Sequence, residues 1–333
     1  RGFLVAMAGC TAIDIGILFG NLIPLIVLAA YGYKPTTSGD ETAHLDKVWR
    51  IVLALGAVVP LSVFYFRWQM TTTSIFAKAK ERTGADLPLK GWLVVFRLYK
   101  WRLFGTCLTW ALYDATSYPF GLFSDDIVSG LSGGKDSLIV STGWSSLILF
   151  FYVIGCFVGA YFLDKIGRKN TQAYFFGIQA IVAFIVGGAI NPISKILPLF
   201  VILYGVFVAL GEAGPGVGTI INAAESFPTP VRGRLFGLSA AFGKAGAAVG
   251  TVVFTKIQSD LPGNGAQGVF LVGGAFALLG AFITWFFIPN LDMDLTKQDD
   301  ELYQALRCAG IAVAEPSTEA LTQDEDSLKK GSI

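Results

Sequence analysis

The sequence predicts an all-α, polytopic membrane protein. Apolar residues fill 53% of the 333 positions and charged residues only 15%, with a mean hydropathy of +0.60, whereas soluble domains carry about a quarter charged residues. The apolar residues are gathered into runs, and a helix needs about 20 such residues to cross a bilayer. Positive charge alternates between the segments that join the runs. If the N-terminus faces the cytoplasm, 18 of the 25 Lys and Arg residues fall on the inner side and six on the outer, leaving Lys244 in a span. Basic loops stay on the cytoplasmic side. Both ends of the chain are therefore expected there.

Eight runs are long enough to span: 3–31, 48–67, 103–124, 141–163, 171–190, 197–222, 235–257 and 268–288. The chain opens on Arg1-Gly2-Phe3, apolar at once and without an initiator Met. It reads as a fragment lacking its N-terminal part. Residues 1–67 are expected to end a first helical bundle. Residues 68–102 form a long basic connecting loop on the cytoplasmic side. Trp92, Phe96, Tyr99 and Trp101 near its end alternate with basic residues, which suits a segment lying on the membrane surface. Residues 103–290 supply a complete six-helix bundle, the organisation of a two-bundle transporter. Residues 291–333 turn polar and acidic, a cytoplasmic tail expected to be mostly disordered, with a short helix over 299–308.

Four cysteines give no disulfide framework; Cys10, Cys107 and Cys156 fall in spans and Cys308 in the tail. The single histidine, His44, lies in an outer loop, so proton traffic at membrane depth must use carboxylates. Its placement also argues against histidine metal sites and serine-hydrolase chemistry in the membrane. No enzyme activity, cofactor, metal or nucleic-acid partner is expected. A monomer in the lipid bilayer is.

Four ionisable residues sit within apolar runs: Asp14, Asp114, Glu212 and Lys244. Each costs about 2.5–3.5 kcal/mol at the bilayer centre on insertion scales. Such residues persist where they line a polar path or bind something. One cation among three carboxylates points to an anionic solute whose binding is coupled to protons. Trp110, Asp114 and Tyr118 recur at i, i+4 and i+8 and share one helix face. Asp114 thus suits a proton acceptor beside a pocket, or a structural carboxylate bonded to a neighbouring helix. Lys244, in Ser239-Ala240-Ala241-Phe242-Gly243-Lys244-Ala245-Gly246, has small neighbours that leave room for a ligand or a helix. It suits a point-charge contact for phosphate or a structural Lys–Asp pair. Asp14 and Glu212 suit a second proton site, a pocket residue or a packing pair.

Three glycine pairs, Gly16/Gly20, Gly155/Gly159 and Gly246/Gly250, have the spacing of close helix contacts. Gly214-Pro215-Gly216 predicts a broken helix at membrane depth. Two short inner loops carry charge clusters, Asp164 to Lys169 and Glu225 to Arg234. Asp164, Arg168, Glu225 and Arg232 are expected to form ion pairs that hold an inner gate.

Asp-Lys-Ile-Gly-Arg-Lys and Glu-Ser-Phe-Pro-Thr-Pro-Val-Arg-Gly-Arg resemble the loop signatures of the major facilitator superfamily, in its sugar and phosphate porter branch. The resemblance covers nearly all of residues 1–290. It implies a partial major facilitator fold, in which about eight helices supply the last two of the N-terminal bundle and all six of the C-terminal one. Trp110-xxx-Asp114-xxx-Tyr118 and Gly243-Lys244 resemble the phosphate:proton symporters, where the matching residues surround the bound phosphate. Those symporters read Gly-Pro-Asn where this chain has Gly214-Pro215-Gly216, and carry Gln near Asp14. Ile13-Asp14-x-Gly16, Gly214-Pro215-Gly216 and Pro230-Val231-Arg232-Gly233 look more like the fungal glycerophosphodiester transporters.

That resemblance implies proton-coupled import of glycerophosphoinositol or glycerophosphocholine across a plasma membrane. Lys244, Trp110, Tyr118 and Asp14 would hold the solute, and Asp114 and Glu212 would carry protons. Gly216 in place of Asn would open space for the group beyond the phosphorus. The alternatives are an inorganic phosphate:proton symporter, a sugar porter and a non-transporting nutrient sensor.

Overall fold

Every apolar run folds as a helix, and most helices extend a few residues beyond it. The computed structural model describes residues 2–34, 44–71, 74–83, 87–131, 137–261, 265–290 and 295–314. The long helices are α1 (Gly2–Ala30), α2 (Leu45–Trp68), α4 (Leu89–Leu122), α6 (Leu138–Lys165), α7 (Arg168–Gly188), α9 (Leu197–Glu225), α10 (Thr229–Asp260) and α11 (Gly265–Phe287). Shorter helices are α3 (Ser74–Thr83), α5 (Ser124–Leu131), α8 (Ile190–Ser194) and α12 (Leu295–Cys308). All long helices but α4 are apolar enough to span by composition. In α4, Thr106, Thr109, Trp110, Tyr113, Asp114, Thr116 and Ser117 dilute the apolar run. These residues give α4 its polar character.

The structure corrects the connecting loop. Residues 74–83 are helical, and from Leu89 the chain is already α4. Pro88 stands at the start of α4 in an extended conformation, and the next proline is Pro119. Nothing between them breaks a helix. The 34 residues run about 51 Å at 1.5 Å per residue. The expected surface segment is therefore the first turns of a continuous helix. Val95 and Tyr99 are buried against Phe227, Val231 and Leu235, and Trp101 faces outward.

The tail also has more structure than its composition predicted. Helix α12 begins at Leu295, four residues ahead of the expected 299, and buries Leu302 and Leu306 against Val95 and Tyr99. Asp299 Oδ1 accepts the Thr229 backbone N–H at 2.6 Å, at the start of α10, a helix-capping contact. Gln298 donates to the Glu225 carbonyl at 3.0 Å, and the Arg82 guanidinium lies 4.8 Å from the Tyr303 ring centroid. A short polar helix stays ordered here because it covers the foot of the bundle. Residues 291–294 and 315–333 lie outside the described residues.

Glycines set the closest contacts. Gly246 and Gly250 of α10 press on the Ala111 and Ala115 carbonyls of α4, and Gly155 and Gly159 of α6 press on Ala209 and Ala213 of α9. A Cβ at any of the four would overlap backbone, so these pairs fix interhelix distance. Among the described residues, Gly16 and Gly20 meet nothing within 4 Å. Buried polar groups are bonded across helices. Asn222 donates to Gln172 at 2.6 Å and Gln172 to Thr284 at 3.0 Å, linking α9, α7 and α11. Beyond the site, Phe120 stacks with Phe207 and Phe270 at centroid distances of 4.7 and 4.8 Å. Helix α1 lies along α6, where Asn21 donates to the Thr142 carbonyl and Ser146 Oγ. Helix α2 packs on α1 through Val27, Leu28 and Val48 and exposes most of its other apolar residues.

A lysine–aspartate pair beside a buried carboxylate cluster

Successive residues of a helix point about 100° apart, so Tyr113 and Asp114 of α4 serve two adjacent faces. On one face Asp114 Oδ2 meets Lys244 Nζ of α10 at 3.0 Å. The same ammonium touches the Tyr118 hydroxyl and lies 4.3 Å from that ring's centroid. Trp110 is buried one turn away, edge-on to Phe236 at a centroid distance of 5.4 Å. An added Cβ at Gly243 would sit 2.6 Å from Trp110 Cδ1, so the glycine leaves room for the indole while its neighbour carries the charge. The Asp114 side chain is 3% exposed and Lys244 59%. A buried carboxylate thus holds one side of an ammonium whose other side is open. The expected quartet of Trp110, Asp114, Tyr118 and Lys244 is brought together.

On the other face Tyr113 donates to Glu212 Oε1. Ser117 donates to the Tyr113 hydroxyl at 3.3 Å, and Tyr152 to the Ser117 carbonyl at 3.2 Å. Glu212 begins a π-turn, Glu212–Gly216. This corrects the expected break: Pro215 removes one donor, and a wider turn absorbs the loss while α9 continues. Asp14, Cys156 and Glu212 are all buried, with ligand atoms within 4.8 Å of one another. Sequence reasoning picked out both carboxylates singly. It missed Tyr113, Cys156 and a second π-turn, Met7–Thr11, in α1 beside Asp14. The Pro-Gly signal marked the first π-turn; nothing in Met7-Ala8-Gly9-Cys10-Thr11 marked the second.

The room at Gly216 is occupied. A Cβ there would collide with Glu212 Oε2 and lie 2.9 Å from the Tyr113 hydroxyl. The glycine makes way for this hydrogen-bonded pair, where the sequence had led us to expect space for a solute. Gly216→Ala should therefore displace the Glu212 carboxylate and cost about 1–3 kcal/mol. Thermal unfolding of purified protein measures it, and an unchanged midpoint would mean the pair yields freely.

The two signature loops meet at the end of the bundle that also holds α12. Arg168 Nε donates to Glu225 Oε2 at 2.9 Å and Arg168 Nη1 lies 3.2 Å from Asp164 Oδ1. Asp164 also accepts the backbone N–H groups of Gly2 and Phe3. Gly167, at φ 89°, makes the tight α6–α7 turn in a region that favours glycine. Arg232 Nε donates to the Phe227 carbonyl at 3.0 Å. The described chain starts and finishes at this one end.

Long apolar helices and a charged pair between two of them define a polytopic helical membrane protein. Residues 89–297 match the model of the family described as sugar (and other) transporter. The chain belongs to that family, within the major facilitator superfamily. It is 38% identical over 307 residues to glycerophosphoinositol transporter 1 of Saccharomyces cerevisiae, covering 92% of this chain and 56% of that protein. It is 40% identical over 262 residues to glycerophosphoinositol permease 1 of Candida albicans, covering 77% and 48%. The C. albicans glycerophosphocholine permease GIT4 is 32% identical over 295 residues, covering 88% and 53%. Rice inorganic phosphate transporters match at lower identity. The chain spans about half the length of the fungal relatives it matches.

Proposed function

We propose that the full-length protein imports a glycerophosphodiester together with protons by alternating access. One observation carries the reading. Lys244 presents an open ammonium face while buried Asp114 holds its other side at 3.0 Å. The names of the fungal relatives, glycerophosphoinositol and glycerophosphocholine carriers, supply the solute class.

The phosphate meets Lys244, with Trp110 and Tyr118 beside it, and a choline head group suits their ring faces. As the anion engages Lys244, Asp114 takes the accompanying proton. Neutralising that carboxylate lowers the cost of closing low-dielectric walls around the solute. Glu212 provides a second proton site. Asp164, Arg168, Glu225 and Arg232 form the inner gate, whose ion pairs break as the bundles rock. The charge asymmetry of the loops supports a cytoplasmic location for the gate, α12 and both ends of the chain. The host membrane is the plasma membrane.

Uptake by the full-length protein of labelled glycerophosphoinositol, glycerophosphocholine and inorganic phosphate, at acid and neutral external pH, tests this. Acid-stimulated diester uptake that excess phosphate barely inhibits is the expected result and names the head group. Preferential uptake of inorganic phosphate would move the protein to the phosphate carriers.

A further inference from the structure

Asp14 and Glu212 come from α1 and α9, far apart in the chain, and meet in one buried cluster with Cys156. Asp14 Oδ2 is buried and has no hydrogen-bond partner among the described residues. The ionisable groups facing the two carboxylates are the Cys156 thiol, with Cys10 behind it, and the phenols of Tyr113 and Tyr152, with Asp114 acting from further off. Among the described residues, no cation joins them. Two bare carboxylates in such surroundings repel strongly, and like-charged pairs of this kind keep a proton. Each carboxylate also adjoins a π-turn, Met7–Thr11 or Glu212–Gly216, an element frequent at functional sites.

We propose that Asp14 and Glu212 hold one proton between them, in a site separate from Asp114–Lys244, and that this proton bonds α1 to α9. The proton turns a repulsive contact into a hydrogen bond and gives Asp14 Oδ2 its partner. It makes Asp14 part of a proton site in place of a solute-holding residue. It also places one proton at the junction of the two bundles, where its departure frees α1 to move. The contact is present at low pH and lost as pH rises through the titration of the pair. The inference builds on the proton-coupled reading, but its test needs no solute.

Cys10 and Cys156 lie in the cluster and serve as native reporters. Cys107, buried beside Ser239 at the α4–α10 contact and outside the carboxylate cluster, is the internal reference. The full-length protein in membrane vesicles is treated with a neutral alkylating reagent across a pH series, and each cysteine is quantified by mass spectrometry. One released proton makes the open fraction grow about tenfold per pH unit, and the labelling of Cys10 and Cys156 relative to Cys107 should follow. In Asp14→Asn and Glu212→Gln an amide donates to the remaining carboxylate at every pH, so the ratio should stay flat.

A flat ratio in the parent overturns the proposal, and that measurement needs no variant to fold. An equal rise in both amide variants overturns it too. Suppression of the rise by sodium at fixed pH would replace the proton with a metal cation. Vesicles that take up no diester yet show the titration would sink the transport reading and leave this one standing.

Discussion

Lys244→Ala is expected to abolish uptake by the full-length protein while leaving it in the membrane. The side chain is 59% exposed, so truncating it opens no core cavity. The neighbouring glycines that fix the α4–α10 contact, Gly246 and Gly250, are untouched. Asp114 loses its cation but keeps a neutral option, since a buried carboxylate without a partner takes up a proton. The anion loses its charged contact, worth about 2–5 kcal/mol when one member of such a pair is truncated. That is about 30- to 4,000-fold in affinity. Lys244→Arg retains charge but replaces a compact ammonium with a planar fork, so it should recover only part. Uptake normalised to protein at the membrane is the measurement. Normal uptake by the alanine variant would remove Lys244 from the solute site.

Arg168→Ala should produce the largest loss of stability. Its side chain is 8% exposed and joins Glu225 at the end of α9 to Asp164 at the end of α6. Removing one partner of a buried ion pair costs about 3–5 kcal/mol, because the other charge remains. The lower end applies here, since Asp164 is partly exposed and keeps the Gly2 and Phe3 N–H groups. A lowered unfolding midpoint in detergent checks this. Arg168→Lys should restore little, since one ammonium cannot reproduce the guanidinium fork. A midpoint equal to the parent's would leave the cluster without a structural role.

The helices were legible because a bilayer demands long apolar runs. The Trp110, Asp114 and Tyr118 face was legible because i, i+4, i+8 spacing is local to one helix. Lys244 followed as the only cation able to answer Asp114 at depth. Tyr113 was not, although it adjoins Asp114: its role depends on α9 lying against that face, and pairing between helices is written in no local spacing. Asp14 and Glu212 were each legible as costly charges, but their meeting depends on how α1 leans on α6. The extent of α4 escaped because its basic, aromatic first turns read as a membrane-surface segment, and composition gives no sign that Phe227, Leu302 and Leu306 cover them. The order in α12 has the same origin.

The π-turn in α9 has a consequence for phase. Accommodating an extra residue rotates everything after it by about 100° about the helix axis. Tyr204 and Phe207, ahead of the turn, face the aromatic cluster around Phe120. Asn222 and Glu225, behind it, face Gln172 and Arg168. The helix is in effect two segments spliced out of step, each indexed to its own neighbours. Deleting one residue between 212 and 216 would bring the segments back into step and turn either the core face or the loop face away from its partners.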